Sequence, residues 1–135
     1  MAIRIFIDQG HNPSSPNTGA EGNGLNEQDI TYTVWLYLAE LLSADPWFEV
    51  RLSRTSPGEI LGTSNATSLA ARVQAANDWP ADYFISIHCN ANENPAINGT
   101  EVYVYQENTQ AYWLAQHVLN GIVQRTGTRN NGVRV

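Results

Sequence analysis

Residues 3–11 read Ile3-Arg4-Ile5-Phe6-Ile7-Asp8-Gln9-Gly10-His11, and the expected fold follows from them. Apolar residues alternate as far as Ile7 and then give way to a polar turn, which predicts a first strand at residues 2–8. A secretory signal would instead combine a basic head with a long apolar core. We therefore expect a chain without a signal peptide, which starts in the cytoplasm or whose leader is missing.

The rest of the chain alternates between strand and helix patterns. Their spacing predicts strands at 48–53, 82–88 and 99–105 and helices at 27–44, 66–78 and 109–125. This order, β-α-β-α-β-β-α, implies an α/β fold with an open, mostly parallel or mixed sheet and helices on both faces. A loop at 9–24, rich in Gly, Asn, Pro and Ser, separates the first strand from the first helix, and loops of this length are often functional.

Each predicted helix has apolar residues that we expect to be buried. They are Ile30, Val34, Leu38, Leu41 and Leu42, then Leu69, Val73 and Ala76, then Leu114, Val118 and Ile122. We expect Asn26 to cap the first helix, with Asp29 completing a weak capping box. Residues 132–135 resemble the approach to another strand. We therefore expect residues 1–135 to be the N-terminal part of one domain whose last strand and helix lie beyond Val135.

Composition excludes several classes of protein. The 135 residues carry 13 acidic residues against 7 arginines and no lysine, for a net charge of −6, which argues against nucleic-acid binding through a broad basic surface. A single cysteine cannot form an intramolecular disulfide. The longest apolar run is far shorter than the roughly 20 residues of a transmembrane helix, so no transmembrane segment is expected.

Two histidines follow predicted strands, and a glutamate begins a predicted helix. His11 comes three residues after the first strand, His88 ends the third, and Glu27 lies on the first turn of the first helix. Because the carboxyl ends of parallel strands meet at one edge of a sheet, we expect these side chains to converge there. Two imidazoles and one carboxylate are the ligands of a catalytic zinc that keeps a fourth position for water.

Simpler roles stay open for these residues and their neighbours. A histidine after a strand is often a turn residue, and the helix dipole alone favours an acid in a first helical turn. Asp8 either bonds the ring nitrogen that a ligating histidine leaves free or caps a turn. Cys89 is a small buried apolar residue or a soft ligand. His117, inside the third helix, is expected to be a packing or surface residue.

For the remaining polar and aromatic residues, we favour structural roles over functional ones. Arg54 and Arg72 either bind an anionic group of a substrate or tie down loops through internal ion pairs, and we favour the ion pairs. Glu101 is the downstream carboxylate, besides Glu93 and Glu107, that could serve as a base, although its place at the start of a strand favours a structural role. The tryptophans on helices, Trp35 and Trp113 among them, are expected to pack.

Several segments, in order along nearly the whole chain, together resemble one family. They are Ile5-Phe6-Ile7-Asp8-Gln9-Gly10-His11, Gly24-Leu25-Asn26-Glu27, Leu52-Ser53-Arg54-Thr55, Leu69-x-x-Arg72 with Ala76-Asn77, the strand from Ala81 to Ala91, and Asn98-Gly99-Thr100-Glu101-Val102-Tyr103. These motifs are similar to those of the zinc-dependent N-acetylmuramoyl-L-alanine amidases, which are cell-wall hydrolases. Several motifs in register are far more specific than any one of them.

The resemblance implies that His11, Glu27 and His88 bind Zn²⁺ and that the substrate is the amide between N-acetylmuramic acid and L-alanine in peptidoglycan. It also implies action outside the cytoplasm, at the cell wall, with a separate wall-binding module as a further expectation. The family's catalytic glutamate lies on a later strand, so we expect it beyond Val135 and expect residues 1–135 alone to be poorly active. Two alternatives are a non-catalytic peptidoglycan-binding module and a zinc peptidase that cuts within the stem peptide.

Overall fold

A computed structural model describes residues 1–135, which form two compact units, Met1–Cys89 and Asn90–Val135. The first contains β1 (Ile3–Gln9), β2 (Glu21–Gly22), β3 (Leu25–Asn26), α1 (Glu27–Ser43), β4 (Phe48–Leu52), α2 (Asn65–Asp78) and β5 (Tyr83–Ile87). The second contains β6 (Thr100–Tyr103), α3 (Gln110–Thr126) and β7 (Asn130–Arg134). The predicted α/β class is confirmed. A bilayer crossing needs a longer apolar helix than any of the three present.

The first unit is built on a parallel sheet with the strand order β4-β1-β5. One face of β1 packs against α1 through Ile5, Ile7 and Trp35, and Trp35 is fully buried, as expected. On the opposite face Phe6 stacks on Phe84, and Asp8 pairs with Arg72 of α2. Helices therefore cover both faces of this sheet, as the sequence predicts.

The second unit is a β-α-β segment of its own. Its two strands, β6 and β7, are parallel, and α3 packs against both of them. Ala115 and Leu119 are the buried residues of α3, while the predicted Leu114, Val118 and Ile122 are half-buried. Gly127 ends α3 in a left-handed conformation, with φ of 71°, which glycine adopts without the penalty of a Cβ atom. Residues 132–134, which resemble the approach to a strand, already belong to a strand, β7.

The apolar patterns of the first two helices misidentify part of the buried face. Val34 and Leu41 of α1 are exposed, because the helix is fixed by Trp35 together with Leu38 and Leu42. Leu69 and Val73 of α2 are exposed as well, and the buried residues of that helix are Ser68, Arg72 and Ala76. The buried polar pair has partners in the loop after β1, so α2 turns its polar side inward.

Two local features differ from the predictions. The loop predicted for 9–24 contains β2, which pairs with β3 in an antiparallel hairpin whose two-residue turn is Asn23-Gly24. Both turn residues have positive φ, 51° and 75°, as the common tight hairpin turn requires. At the start of α1, the Asn26 side chain makes no capping bond to the helix backbone and instead donates to the Asp29 carboxylate.

Candidate metal centre

His11, Glu27 and His88 come together at the carboxyl edge of the parallel sheet. His11 Nε2 lies 3.3 Å from one Glu27 oxygen, His88 Nδ1 lies 3.3 Å from the other, and the two ring nitrogens are 3.1 Å apart. The parallel pairing of Gln9 with Ile87 ends both strands at the same level, so the residues that follow emerge side by side. Residues far apart in the chain thus each offer one ligand atom, and these atoms lie within 4.8 Å of one another.

Two glycines make room for these side chains. A Cβ atom on Gly10 would lie 2.5–2.8 Å from three atoms of the His88 ring, and one on Gly19 would lie 2.6 Å from the Glu27 Cβ atom. Both distances are shorter than any ordinary contact, so a larger residue at either position would displace a ligand. The His88 ring and the Glu27 side chain therefore lie directly against bare backbone.

Glu27 is fixed by the backbone around it. Its carboxylate accepts hydrogen bonds from the N–H groups of Ala20, at 2.9 Å, and Cys89, at 2.7 Å. Burial would by itself raise the pKa of this carboxyl, but the two N–H donors and the nearby imidazoles more than offset that effect, and the pKa lies below its ordinary value. The carboxylate is thus held ionised at neutral pH, as a metal ligand must be.

The loop after β1 is tied down by buried polar side chains. Arg72 pairs with Asp8 at 2.7 Å and also donates to the carbonyl oxygens of Gln9 and His11 and to the Asn12 side chain. This is the internal ion pair favoured for Arg72. Arg54 also ties down a loop, but through the carbonyls of Gln28 and Pro57 rather than through an ion pair.

Asp8 does not contact a histidine. Its two carboxylate oxygens are taken by Arg72 and by the Ser86 hydroxyl. The His11 ring nitrogen that faces away from the cluster, Nδ1, instead lies 3.1 Å from Asn17 Oδ1. Asn17 was not predicted as a site residue, because it lies in an irregular loop with no periodicity to mark it.

The other candidate residues do not add side chains to the cluster. Cys89 is a half-buried free thiol whose pKa is raised by burial and by Glu27, and its backbone rather than its sulfur contacts the cluster. His117 is an exposed residue whose ring centroid lies 4.1 Å from that of the Trp113 ring at a tilt of 38°. Trp113 is itself largely exposed, so it is not a core residue. Glu101 pairs with Arg134 at 2.7 Å within the second unit, as its expected structural role requires.

The donor set and its spacing suit a zinc ion. Tetrahedral zinc with bonds of about 2.0–2.1 Å needs ligand atoms roughly 3.3 Å apart. The two ring nitrogens are 3.1 Å apart, and each lies 3.3 Å from a different oxygen of Glu27. One ionised carboxylate and two imidazoles leave one positive charge on a divalent ion. Access differs among the ligands, because Glu27 is 5% exposed whereas the His88 side chain is 43% exposed, so the open side of the cluster lies towards His88.

Comparisons with known proteins point in one direction. The family model that matches residues 5–135 is described as N-acetylmuramoyl-L-alanine amidase. The chain is 43% identical over 104 residues to the N-acetylmuramoyl-L-alanine amidase CwlM of Bacillus licheniformis, covering 76% of this chain and 36% of that protein. It is 40% identical over 106 residues to the sporulation-specific N-acetylmuramoyl-L-alanine amidase of Bacillus subtilis (strain 168), covering 78% of this chain and 37% of that protein.

A solved structure supports the same likeness. The crystal structure of N-acetylmuramoyl-L-alanine amidase from Clostridium difficile 630 superimposes with a TM-score of 0.80 at 31% identity, covering 98% of this chain and 69% of that one. The chain therefore spans little more than a third of the two Bacillus proteins and about two thirds of the solved one.

Proposed function

Because the chain belongs to the N-acetylmuramoyl-L-alanine amidase family, we propose that it carries the zinc site of a hydrolase acting on peptidoglycan. The bond cleaved is the amide between the lactyl group of N-acetylmuramic acid and the first L-alanine of the stem peptide. The observation that carries the proposal is the cluster of His11, Glu27 and His88 at the carboxyl edge of a parallel sheet, where one ligand atom from each residue lies within 4.8 Å of the others. The site of action is the cell wall, outside the cytoplasm.

His11 Nε2, His88 Nδ1 and the Glu27 carboxylate hold the metal in this proposal. Zn²⁺ bound by two imidazoles and a carboxylate polarises an amide carbonyl and activates water for attack on it. Glu27 stays ionised because the Ala20 and Cys89 N–H groups donate to it. The exposure of His88 leaves that side of the cluster open to the glycan strand and its peptide.

Hydrolysis adds water to the lactyl carbonyl, breaks the C–N bond and returns a proton to the alanine amine. A general base takes the proton from water and passes it on. We assign that role to the family's catalytic glutamate on a later strand and to no carboxylate of residues 1–135. On this assignment residues 1–135 hold the metal and one side of the catalytic site.

Metal analysis of the purified chain tests the site. We expect one zinc per chain, and we expect His11→Ala and His88→Ala each to abolish stoichiometric zinc, because each removes one of three protein ligands. His117→Ala is the matched control, since it removes an exposed imidazole of the second unit that contacts the Trp113 ring. Full zinc retention in His88→Ala would refute the assignment.

Product analysis tests the reaction. The complete gene product that carries this chain is incubated with purified peptidoglycan, and the soluble products are weighed by mass spectrometry. An amidase frees intact stem peptides with an L-alanine amino terminus and leaves glycan with unmodified lactyl groups. Shortened peptides would instead indicate a zinc peptidase, and muropeptide binding without release would indicate a non-catalytic binding module; either result contradicts the proposal.

A further inference from the structure

The orientation of the His11 ring depends on contacts at both of its nitrogens. Nε2 faces Glu27 at 3.3 Å and His88 at 3.1 Å, and Nδ1 faces the amide oxygen of Asn17 at 3.1 Å. A neutral imidazole has one nitrogen that donates and one that accepts, whereas an amide oxygen only accepts. The contact with Asn17 therefore favours the tautomer with the proton on Nδ1, in which Nε2 presents its lone pair to the cluster.

Asn17 is itself fixed from its other end. Its Nδ2 donates to the Ser68 hydroxyl oxygen at 3.1 Å, and Ser68 is fully buried on α2. Its backbone oxygen accepts from the Asn12 N–H at 2.8 Å, which closes the loop. The backbone at 17 has φ of 64°, and asparagine is among the few residues other than glycine that adopt this region readily. The amide oxygen is thus held towards His11.

We propose that Asn17 is a positioning residue that selects the His11 tautomer with the proton on Nδ1 and so keeps Nε2 free to bind the metal. The inference rests on the zinc site of the proposed function and extends it to a residue that contacts one of the three ligands. Without Asn17, the ring proton moves to Nε2, because the ionised Glu27 carboxylate lies 3.3 Å from that nitrogen and attracts it. A metal must then displace that proton before it binds.

The experiment compares three variants in the purified chain. Asn17→Gly removes the amide without straining a backbone at positive φ, and Asn17→Asp keeps an oxygen acceptor at the same place. Asn108→Gly is the matched control, because Asn108 also has positive φ, at 57°, and is exposed in the second unit. One readout is the His11 tautomer of the metal-free protein by ¹⁵N NMR. The other is the dissociation constant for zinc alone, by competition with a chelator.

We expect the wild type, Asn17→Asp and Asn108→Gly to carry the His11 proton on Nδ1 and Asn17→Gly to carry it on Nε2. The zinc dissociation constant should rise about 10- to 100-fold in Asn17→Gly and return towards the wild-type value in Asn17→Asp. An unchanged tautomer in Asn17→Gly, or unchanged zinc affinity there while the wild type binds zinc, overturns the inference and leaves the proposed function standing. If the wild type binds no zinc, the proposed function fails, and the tautomer still decides the role of Asn17.

Discussion

Replacing Gly10 with alanine tests whether bare backbone beneath His88 is what allows the metal site to form. The new Cβ atom would lie 2.5–2.8 Å from three atoms of the His88 ring, whereas ordinary contacts begin at 3.4 Å. The ring therefore has to retreat by about 0.6–0.9 Å, while metal–ligand distances tolerate only about 0.2 Å. His88 Nδ1 should leave the cluster.

The size of the effect follows from the share of the zinc-binding free energy that one ligand contributes. Zinc binding to structural sites releases about 10–16 kcal/mol over four ligands, so losing one ligand costs about 3 kcal/mol, or roughly a 100-fold rise in the dissociation constant. The metal-free protein should lose less than about 1 kcal/mol in its free energy of unfolding. The reason is that the His88 side chain is 43% exposed and swings into water without opening a cavity.

Chelator competition measures the zinc affinity, and urea unfolding of the metal-free protein measures its stability. Gly58→Ala is the control, because a Cβ atom there would meet nothing within 4 Å. We expect this control to match the wild type in zinc affinity. A Gly10→Ala protein that binds zinc as tightly as the wild type would show that the contact between Gly10 and His88 does not govern the site.

Three further predictions concern stability, each measured by urea unfolding. Arg72→Met should cost about 3–5 kcal/mol because it strands the buried Asp8 carboxylate, and adding Asp8→Asn should recover part of that loss; strictly additive losses would argue against the pair. Trp35→Ala should cost about 3–5 kcal/mol, but Trp35→Phe only about 1 kcal/mol, since the buried indole N–H it removes has no partner; equal losses would contradict this. Backbone and side-chain hydrogen bonds from Thr55 hold the pKa of Glu59 below its ordinary 4.5, so its ionised form stabilises the fold above that pH. The deficit of Glu59→Gln should thus be constant near neutral pH and disappear as the pH falls through the lowered pKa of Glu59; a deficit that persists at low pH would rule out this origin.

The convergence of the three candidate ligands could be predicted because it depends on topology. Alternating apolar residues identify β1 and β5, and the helices between the strands require them to be parallel. His11 and His88 follow these strands, so both had to emerge at one edge. The metal that these residues suit follows from their residue types alone, without knowledge of side-chain packing. The same reasoning could not find Asn17, whose contact with His11 depends on the path of an irregular loop.

The burial of α2 could not be read from its apolar residues. Periodicity identifies a helix, but it assigns the buried side on the assumption that apolar residues face inward. In α2 the long Arg72 side chain instead faces inward and pairs with Asp8 on β1, while Leu69 and Val73 are exposed. The hairpin β2–β3 was not predicted for a different reason. Its Asn23-Gly24 dipeptide is a strong turn signal, but each flanking strand is only two residues long and shows no alternating pattern.

The inward-facing polar side of α2 affects how the protein opens locally. Ser68 and Arg72 hold the helix to the loop after β1 with directional bonds, which are lost together once the loop changes shape. Amide hydrogens of residues 65–78 and of the loop should consequently exchange with solvent as one cooperative group, in openings less costly than those of the central strand β1. The conformation of the segment that presents His11 would then depend on a helix in a different part of the chain, and the two would unfold together.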